Sequence, residues 1–377
     1  MTEESLPESE DRQAMAKAYD GIRNRLFAVR IVAVVVLLAL FLLSGASGSL
    51  AGGLTARFGG RWGWVNLVYV LVATFGFSAG LFPLTFYDHV LERHYGLSRE
   101  TFGQWMADYL KSLALDLMLA GVLFSALYAL LRLAGDRWWI WATGFYVLFS
   151  IVLSALFPVL IMPLFHKFEP LEDRELADAV REMMRDEGID VVGVYKWGLS
   201  EKTSTANAAF TGLGRSRRIV LGDTLLDGYE RDEILAILAH EVGHYKNRDM
   251  LRLMTAGSLL ALVGFFLAHV VLTRLSGRFG IEHVYDIGGA PLFVFSLFLF
   301  SLVSMPLTNL LSRQREYAAD AYAVRRLSTP EPLVSALEKL ADQNLADREP
   351  APWVEFLLHG HPSIARRARR AREVIAG

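Results

Sequence analysis

Six apolar runs constrain this chain more than any other feature. Residues 28–43, 63–83, 110–131, 138–164, 253–273 and 291–311 carry almost no charge, and each approaches the length that crosses roughly 30 Å of hydrocarbon as a helix. Backbone groups in lipid must be bonded internally, so runs of this kind read as transmembrane helices. The competing reading, buried helices of a large soluble domain, has to explain six such runs in one chain. Residues 1–26 ahead of the first run are mostly polar, and Gly45-Ala46-Ser47-Gly48 after it matches a cleavage site only weakly. The first run is therefore expected to be a span and not a cleaved signal.

Composition narrows the chemistry. The chain is 53% hydrophobic and 21% charged, poorer in charge than the quarter usual for soluble domains. A net charge of −2 supplies no global basic field, so nucleic acid is not an expected partner. Cysteine is absent, which removes disulfides, thiolate metal sites and cysteine nucleophiles together. Any metal must be held by the nine histidines and the carboxylates.

Between and after the spans lie two mixed polar stretches, 165–251 and 312–377. An even number of spans puts both on the same side as the N-terminus. Arg12, Lys17, Arg23, Arg25 and Arg30 flank the first span, and the C-terminal stretch is rich in arginine. The positive-inside rule then places the termini and both stretches in the cytoplasm. Arginine far outnumbers lysine and cysteine is missing, a bias that points to a GC-rich bacterium and hence to its inner membrane. The expected fold is an α-helical polytopic membrane protein of about six transmembrane helices with a cytoplasmic α+β domain containing a small β-sheet. Its divisions are a segment 1–26, membrane helices 27–165, a polar segment 166–250, membrane helices 251–311 and a C-terminal polar segment 312–377. Residues 171–187 read as an amphipathic helix, and 191–197, 204–210 and 218–221 as short strands, the last two joined by a turn at 212–216. Residues 231–249 read as one helix.

That helix carries the sharpest motif, His240-Glu241-Val242-Gly243-His244. Positions i and i+4 share a helix face, so His240 and His244 can bind one Zn²⁺, with Glu241 beside them to take a proton from water. Two histidines leave a catalytic zinc one protein ligand short. His269 lies too deep in the fifth span, and Glu282 and His283 fall in the loop on the opposite side. Glu316 lies five residues past the sixth span on the same face as the motif, and is the best third ligand among candidates that include His359 and His361. Asn309, Arg313, Glu316 and Asp320 are spaced 4, 3 and 4, one stripe of one helix. Asp320 is placed to accept a hydrogen bond from a ligating imidazole, and Asn309 and Arg313 are expected around the same centre. Asp116, ionisable within the third span, hints at a polar cavity between helices.

These residues resemble those of the CAAX prenyl endopeptidases, integral-membrane zinc metalloproteases. The likeness extends beyond His240–His244 and residues 312–320. Residues 86–98 and 157–171, the run Asn207-Ala208-Ala209-Phe210, residues 218–226 and His361-Pro362-Ser363 with Arg367 all look like family segments, covering about 60–372. The shorter HtpX-type membrane proteases share the zinc motifs but not the 86–98 and 157–171 segments. The resemblance implies one zinc on His240, His244 and Glu316, with Glu241 as general base. It implies His361 and Arg367 as donors to the tetrahedral oxyanion, and a chamber within the membrane. The family's eukaryotic members carry a further N-terminal span that is not evident here. Thr205 to Phe210 has the small side chains of a strand that could pair edge-on with a peptide, so Asn207 and Ala208 are the expected substrate contacts.

The expected activity is therefore a zinc metalloendopeptidase of CAAX prenyl protease type, removing C-terminal tripeptides from prenylated substrates or degrading membrane proteins in quality control. Its partners would be a peptide or protein substrate, possibly lipidated, and membrane lipid. The rival from another class is a transporter or channel with a structural or regulatory metal site. That rival predicts paired, Gly- or Pro-broken spans, and the fifth and sixth runs show no such pairing.

Overall fold

Each apolar run becomes the middle of a longer helix. The computed structural model describes residues 9–212 and 217–376; the turn expected at 212–216 lies almost wholly outside them. Among the described residues, six helical stretches are long and apolar enough to cross a membrane: Asp11–Leu43, Trp62–His94, Phe102–Leu133, Gly135–Phe165, Asp249–Phe279 and Ile287–Leu327. The helices forming them are α1 (Ser9–Leu43), α3 (Trp62–His94), α4 (Phe102–Leu133), α5 (Trp138–Leu156) with the short α6 (Met162–Phe165), α10 (Asp249–Leu275) and α11 (Ala290–Leu327), while α2 (Ala46–Arg57) is a short helix after α1. Apolar side chains such as Val32, Leu40 and Val303 remain exposed on them, as expected of surfaces that face lipid.

The six long helices form a closed ring. Helix α1 packs on α3, α3 on α4, α4 on α5, α5 on α10, α10 on α11, and α11 back on α1. Helices α1, α3, α4 and α11 line an apolar pocket of about 590 Å³ to which, among the described residues, Asp116 contributes the one carboxylate. The expected polar cavity at Asp116 is thus apolar apart from the carboxylate and a few hydroxyls. His269 of α10 accepts a hydrogen bond from Trp138 Nε1 at 3.1 Å, an interior packing contact.

The polar stretches assemble at one end of the ring. A four-stranded sheet has the order β1-β2-β4-β3, from β1 (Phe168–Pro170), β2 (Val194–Trp197), β3 (Ala208–Thr211) and β4 (Arg218–Gly222). Strand β4 pairs in parallel with β2 and antiparallel with β3, which leaves β3 at the edge. Strand β1 was not expected; at three residues it is too short for any alternation to register. The amphipathic helix appears as α7 (Arg174–Asp186), capped by Asp173 accepting from the Leu176 N–H. Its Leu176, Val180, Met183 and Met184 pack into the core of this end.

The helix expected over 231–249 ends at Lys246, and Asp249 opens the next one. After α8 (Asp223–Leu226) comes α9 (Arg231–Lys246), and α10 begins only at Asp249. Between them Arg248 takes a left-handed conformation, φ 53°, which breaks the helical ladder. Helix α9 lies against the polar end of α11. Gly243 makes that approach possible, because a Cβ there would sit 2.9 Å from Ala319 Cα and 3.0 Å from its carbonyl oxygen. Three helices complete the chain: α12 (Glu331–Gln343), α13 (Pro352–Leu358) and α14 (Ile364–Ala376).

Candidate active site

The site forms where α9 crosses the extension of α11. A straight 38-residue helix spans about 57 Å, so α11 both crosses the membrane and carries Glu316 and Asp320 beyond it. His240, His244 and Glu316 each offer one ligand atom, and these atoms all lie within 4.8 Å of one another. His240 Nε2 stands 3.1 Å from His244 Nε2, and these nitrogens lie 3.5 and 3.4 Å from the two Glu316 carboxylate oxygens.

What lies behind the imidazoles decides what they offer. His240 Nδ1 is 2.8 Å from Asp320 Oδ1, and His244 Nδ1 is 3.0 Å from Asp249 Oδ2. Both carboxylates are buried. With each Nδ1–H donating to a carboxylate, both Nε2 lone pairs point at one spot beside a third carboxylate. Two acceptors and an anion converging in a buried place repel one another unless a cation sits among them. Glu316 Oε2 is also buried with no hydrogen-bond partner among the described residues. This nitrogen and oxygen set fits Zn²⁺.

Without metal, a proton takes part of that role. Burial alone would lower the His240 pKa, but the nearby Asp320 and Glu316 carboxylates outweigh it and raise the value to about 9. Burial raises Glu241 above the usual carboxylate range, against the lowering pull of His240 and His244.

The other expected residues divide. Arg367 is buried and grips Asp320 with a two-pronged contact, Nε to Oδ2 at 2.9 Å and Nη2 to Oδ1 at 2.7 Å. Its remaining Nη1 lies 3.4 Å from Glu316 Oε2. His361 Nδ1 is 3.1 Å from Glu316 Oε1, and its side chain is 73% exposed. Asn309 and Arg313 do not reach the centre, contrary to expectation. Arg313 donates to the carbonyls of Glu355 and His359 at 2.8 and 2.6 Å, and Asn309 donates to Leu357 O at 2.7 Å. They bond carbonyls at and just past the end of α13, where Glu355 O also accepts the His359 N–H at 3.3 Å, and so hold the segment that carries His361. The stripe is real, but its lower half faces α13. Sequence reasoning missed Asp249. The signal available was an acid five residues after His244, hidden because the helix was read as continuous.

One pocket joins these groups to the sheet edge. It measures about 850 Å³ and is lined by His240, Glu241, His244 and Glu316, by Asn207 and Ala208, and by His361 and Arg367. Leu225, Ile237, Leu333 and Leu337 make much of its wall apolar.

Residues 170–375 match the profile described as peptidase family M48. The chain belongs to that family. Residues 6–167 match the profile of the CAAX prenyl protease N-terminal region with five membrane helices; here the same stretch holds four helices of membrane length and the short α2. An uncharacterized metalloprotease, YhfN of Bacillus subtilis, is 29% identical over 366 residues, covering 96% of this chain and 85% of that protein. CAAX prenyl protease 1 of Saccharomyces cerevisiae is 32% identical, with 76% of this chain and 67% of that protein covered. The crystal structure of S. mikatae Ste24p superposes with a TM-score of 0.87 at 25% identity, over 97% of this chain and 91% of that one. The chain is thus a multi-pass membrane metalloendopeptidase of the CAAX prenyl protease type, and a transporter reading is not favoured.

Proposed function

We propose that this membrane protease is a zinc enzyme which cuts lipid-modified or otherwise membrane-held polypeptides close to their C-terminal end. The observation that carries the reading is the convergence of His240 Nε2, His244 Nε2 and the Glu316 carboxylate in one pocket with the edge of β3. His240, His244 and Glu316 hold the metal. Zinc, when bound, supplies a Lewis acid that polarises the scissile carbonyl and acidifies water beside it.

The chain's own groups do the rest. Glu241 takes the proton from the attacking water and returns it to the leaving amine, a task suited to a carboxyl made more basic by burial. His361, exposed to the pocket beside Glu316, donates to the oxyanion that develops on the substrate. Arg367 commits two nitrogens to Asp320; only Nη1 remains to assist there, so its larger effect is through the Asp320–His240 contact. Asp320 and Asp249 fix the imidazole tautomers. Ala208 lies on the free edge beside the metal residues, where an extended peptide can add as a further strand, and Asn207, whose carbonyl bonds β4, lines the same pocket.

The cluster of Arg12, Lys17, Arg23, Arg25 and Arg30 around the start of α1 supports placing the site and both termini in the cytoplasm of a bacterial inner membrane. Cleavage of a prenylated CAAX peptide by purified protein tests the function, with Glu241→Gln and metal removal as controls. Loss of cleavage in both controls is expected. Unchanged turnover by Glu241→Gln would overturn the assigned base.

A further inference from the structure

The edge of β3 is closed at one end. Gly222 N–H donates to Asn207 O at 2.9 Å, and the ladder pairs Ala209 with Val220 and Thr211 with Arg218. Backbone groups alternate sides along a strand. Residues 207, 209 and 211 therefore spend theirs on β4, whereas Ala206, Ala208 and Phe210 turn theirs toward the free edge. At Ala208 and Phe210 those groups have no other partner among the described residues. At Ala206 both are taken: its N–H donates to Asn344 Oδ1 at 3.0 Å and its carbonyl accepts from Asn344 Nδ2 at 3.4 Å. The Asn344 amide occupies the place of a neighbouring strand.

Asn344 is not free to withdraw. It ends α12, its N–H bonded to Leu340 O at 3.0 Å, and the next residue, Leu345, is left-handed at φ 47°. A non-glycine residue holds that conformation only where its surroundings insist on it. Leu345 is 2% exposed, locked among Ala16, Tyr19, Leu91 and Leu97. Gln343 Nε2 donates to Ser204 O at 2.8 Å and steadies the same segment.

We propose that Asn344 is a specificity-determining residue that limits how many residues can follow the scissile bond. This rests on the peptide-edge reading above. A peptide adding to β3 antiparallel, the more stable pairing, runs from Phe210 toward Ala206 in its own N-to-C direction. It pairs with Phe210 and then Ala208. The next pairing position is Ala206, and Asn344 is already there. Residues C-terminal to that point lose the ladder, so a polypeptide is favoured when its C-terminus follows closely.

Binding tests this without requiring turnover. The zinc-loaded, full-length Glu241→Gln protein is titrated by fluorescence anisotropy with an N-terminally labelled peptide of small apolar residues ending in a free carboxylate. Two longer probes carry three extra alanines, one at the C-terminus and one at the N-terminus. The C-terminal extension is expected to weaken binding about tenfold, and Asn344→Ala in the same background to reduce that penalty to about twofold or less. Asn344→Ser, which is too short to reach Ala206, carries the same expectation if the alanine variant does not fold. A penalty unchanged by either substitution would overturn the proposal, as would a penalty on the N-terminal extension instead, or no peptide binding in either background.

Discussion

Replacing Gly243 by alanine tests whether the ligand geometry depends on how closely α9 approaches α11. The added Cβ would stand 2.9 Å from Ala319 Cα, 3.0 Å from Ala319 O and 3.1 Å from Tyr322 Cβ. Non-bonded carbons rest about 3.5–4.0 Å apart, so the helices must separate by roughly 0.6–1 Å. Backbone atoms are the obstacle, and no side-chain rotation relieves them. Alanine favours the helix by about 1 kcal/mol, while overpacking of this kind costs about 1–3 kcal/mol, so net destabilisation should stay below about 2 kcal/mol. Function should suffer more. Helix α9 carries His240, Glu241 and His244, and α11 carries Glu316 and Asp320, so the separation enters the ligand distances directly. A displacement near 1 Å costs about a hundredfold in rate. The assay is kcat/KM on a cleavable peptide alongside zinc content and thermal melting. Gly257→Ala is the control, since a Cβ there meets nothing within 4 Å. Wild-type kcat/KM and full zinc occupancy in Gly243→Ala would refute the reasoning.

Asp249→Asn removes the anionic acceptor behind His244; zinc affinity measured against a competing chelator should fall about 10–100-fold, and an unchanged affinity would show that Asp249 serves only to start α10. In the metal-free protein the His240 pKa lies at about 9. Below that pH zinc must displace a proton, so apparent zinc affinity should rise with pH toward 9, by about tenfold per unit for one proton. Calorimetric titration of zinc in buffers of different ionisation enthalpy should report proton release at pH 7.5, and none would contradict the raised value.

Much of this architecture is written locally. Six apolar runs dictate six membrane-length helices because lipid admits only helices and closed barrels, and runs of about twenty apolar residues fit a helix and not a barrel strand of about ten. His240, Glu241 and His244 are legible because i and i+4 share a helix face. The stripe from Asn309 to Asp320 is legible for the same reason, once α11 is taken as unbroken. The metal chemistry follows from the composition, since a chain without cysteine has only imidazole and carboxylate to offer. What fails locally is any choice that depends on what packs opposite. The stripe's lower half meets α13 and not the metal residues, which periodicity within α11 cannot reveal.

The sequence by itself determined the membrane class, the helix of the His240–His244 motif and a Glu316 within reach of it, because each is a repeat or spacing along one helix. Tertiary structure alone decided that Asp249 stands behind His244, through a left-handed turn at Arg248 that no propensity favours. It alone put β3 at the edge of its sheet and set Asn344, 138 residues along the chain, against Ala206. Those contacts join segments far apart in sequence, and only the packing of the whole fold brings them together.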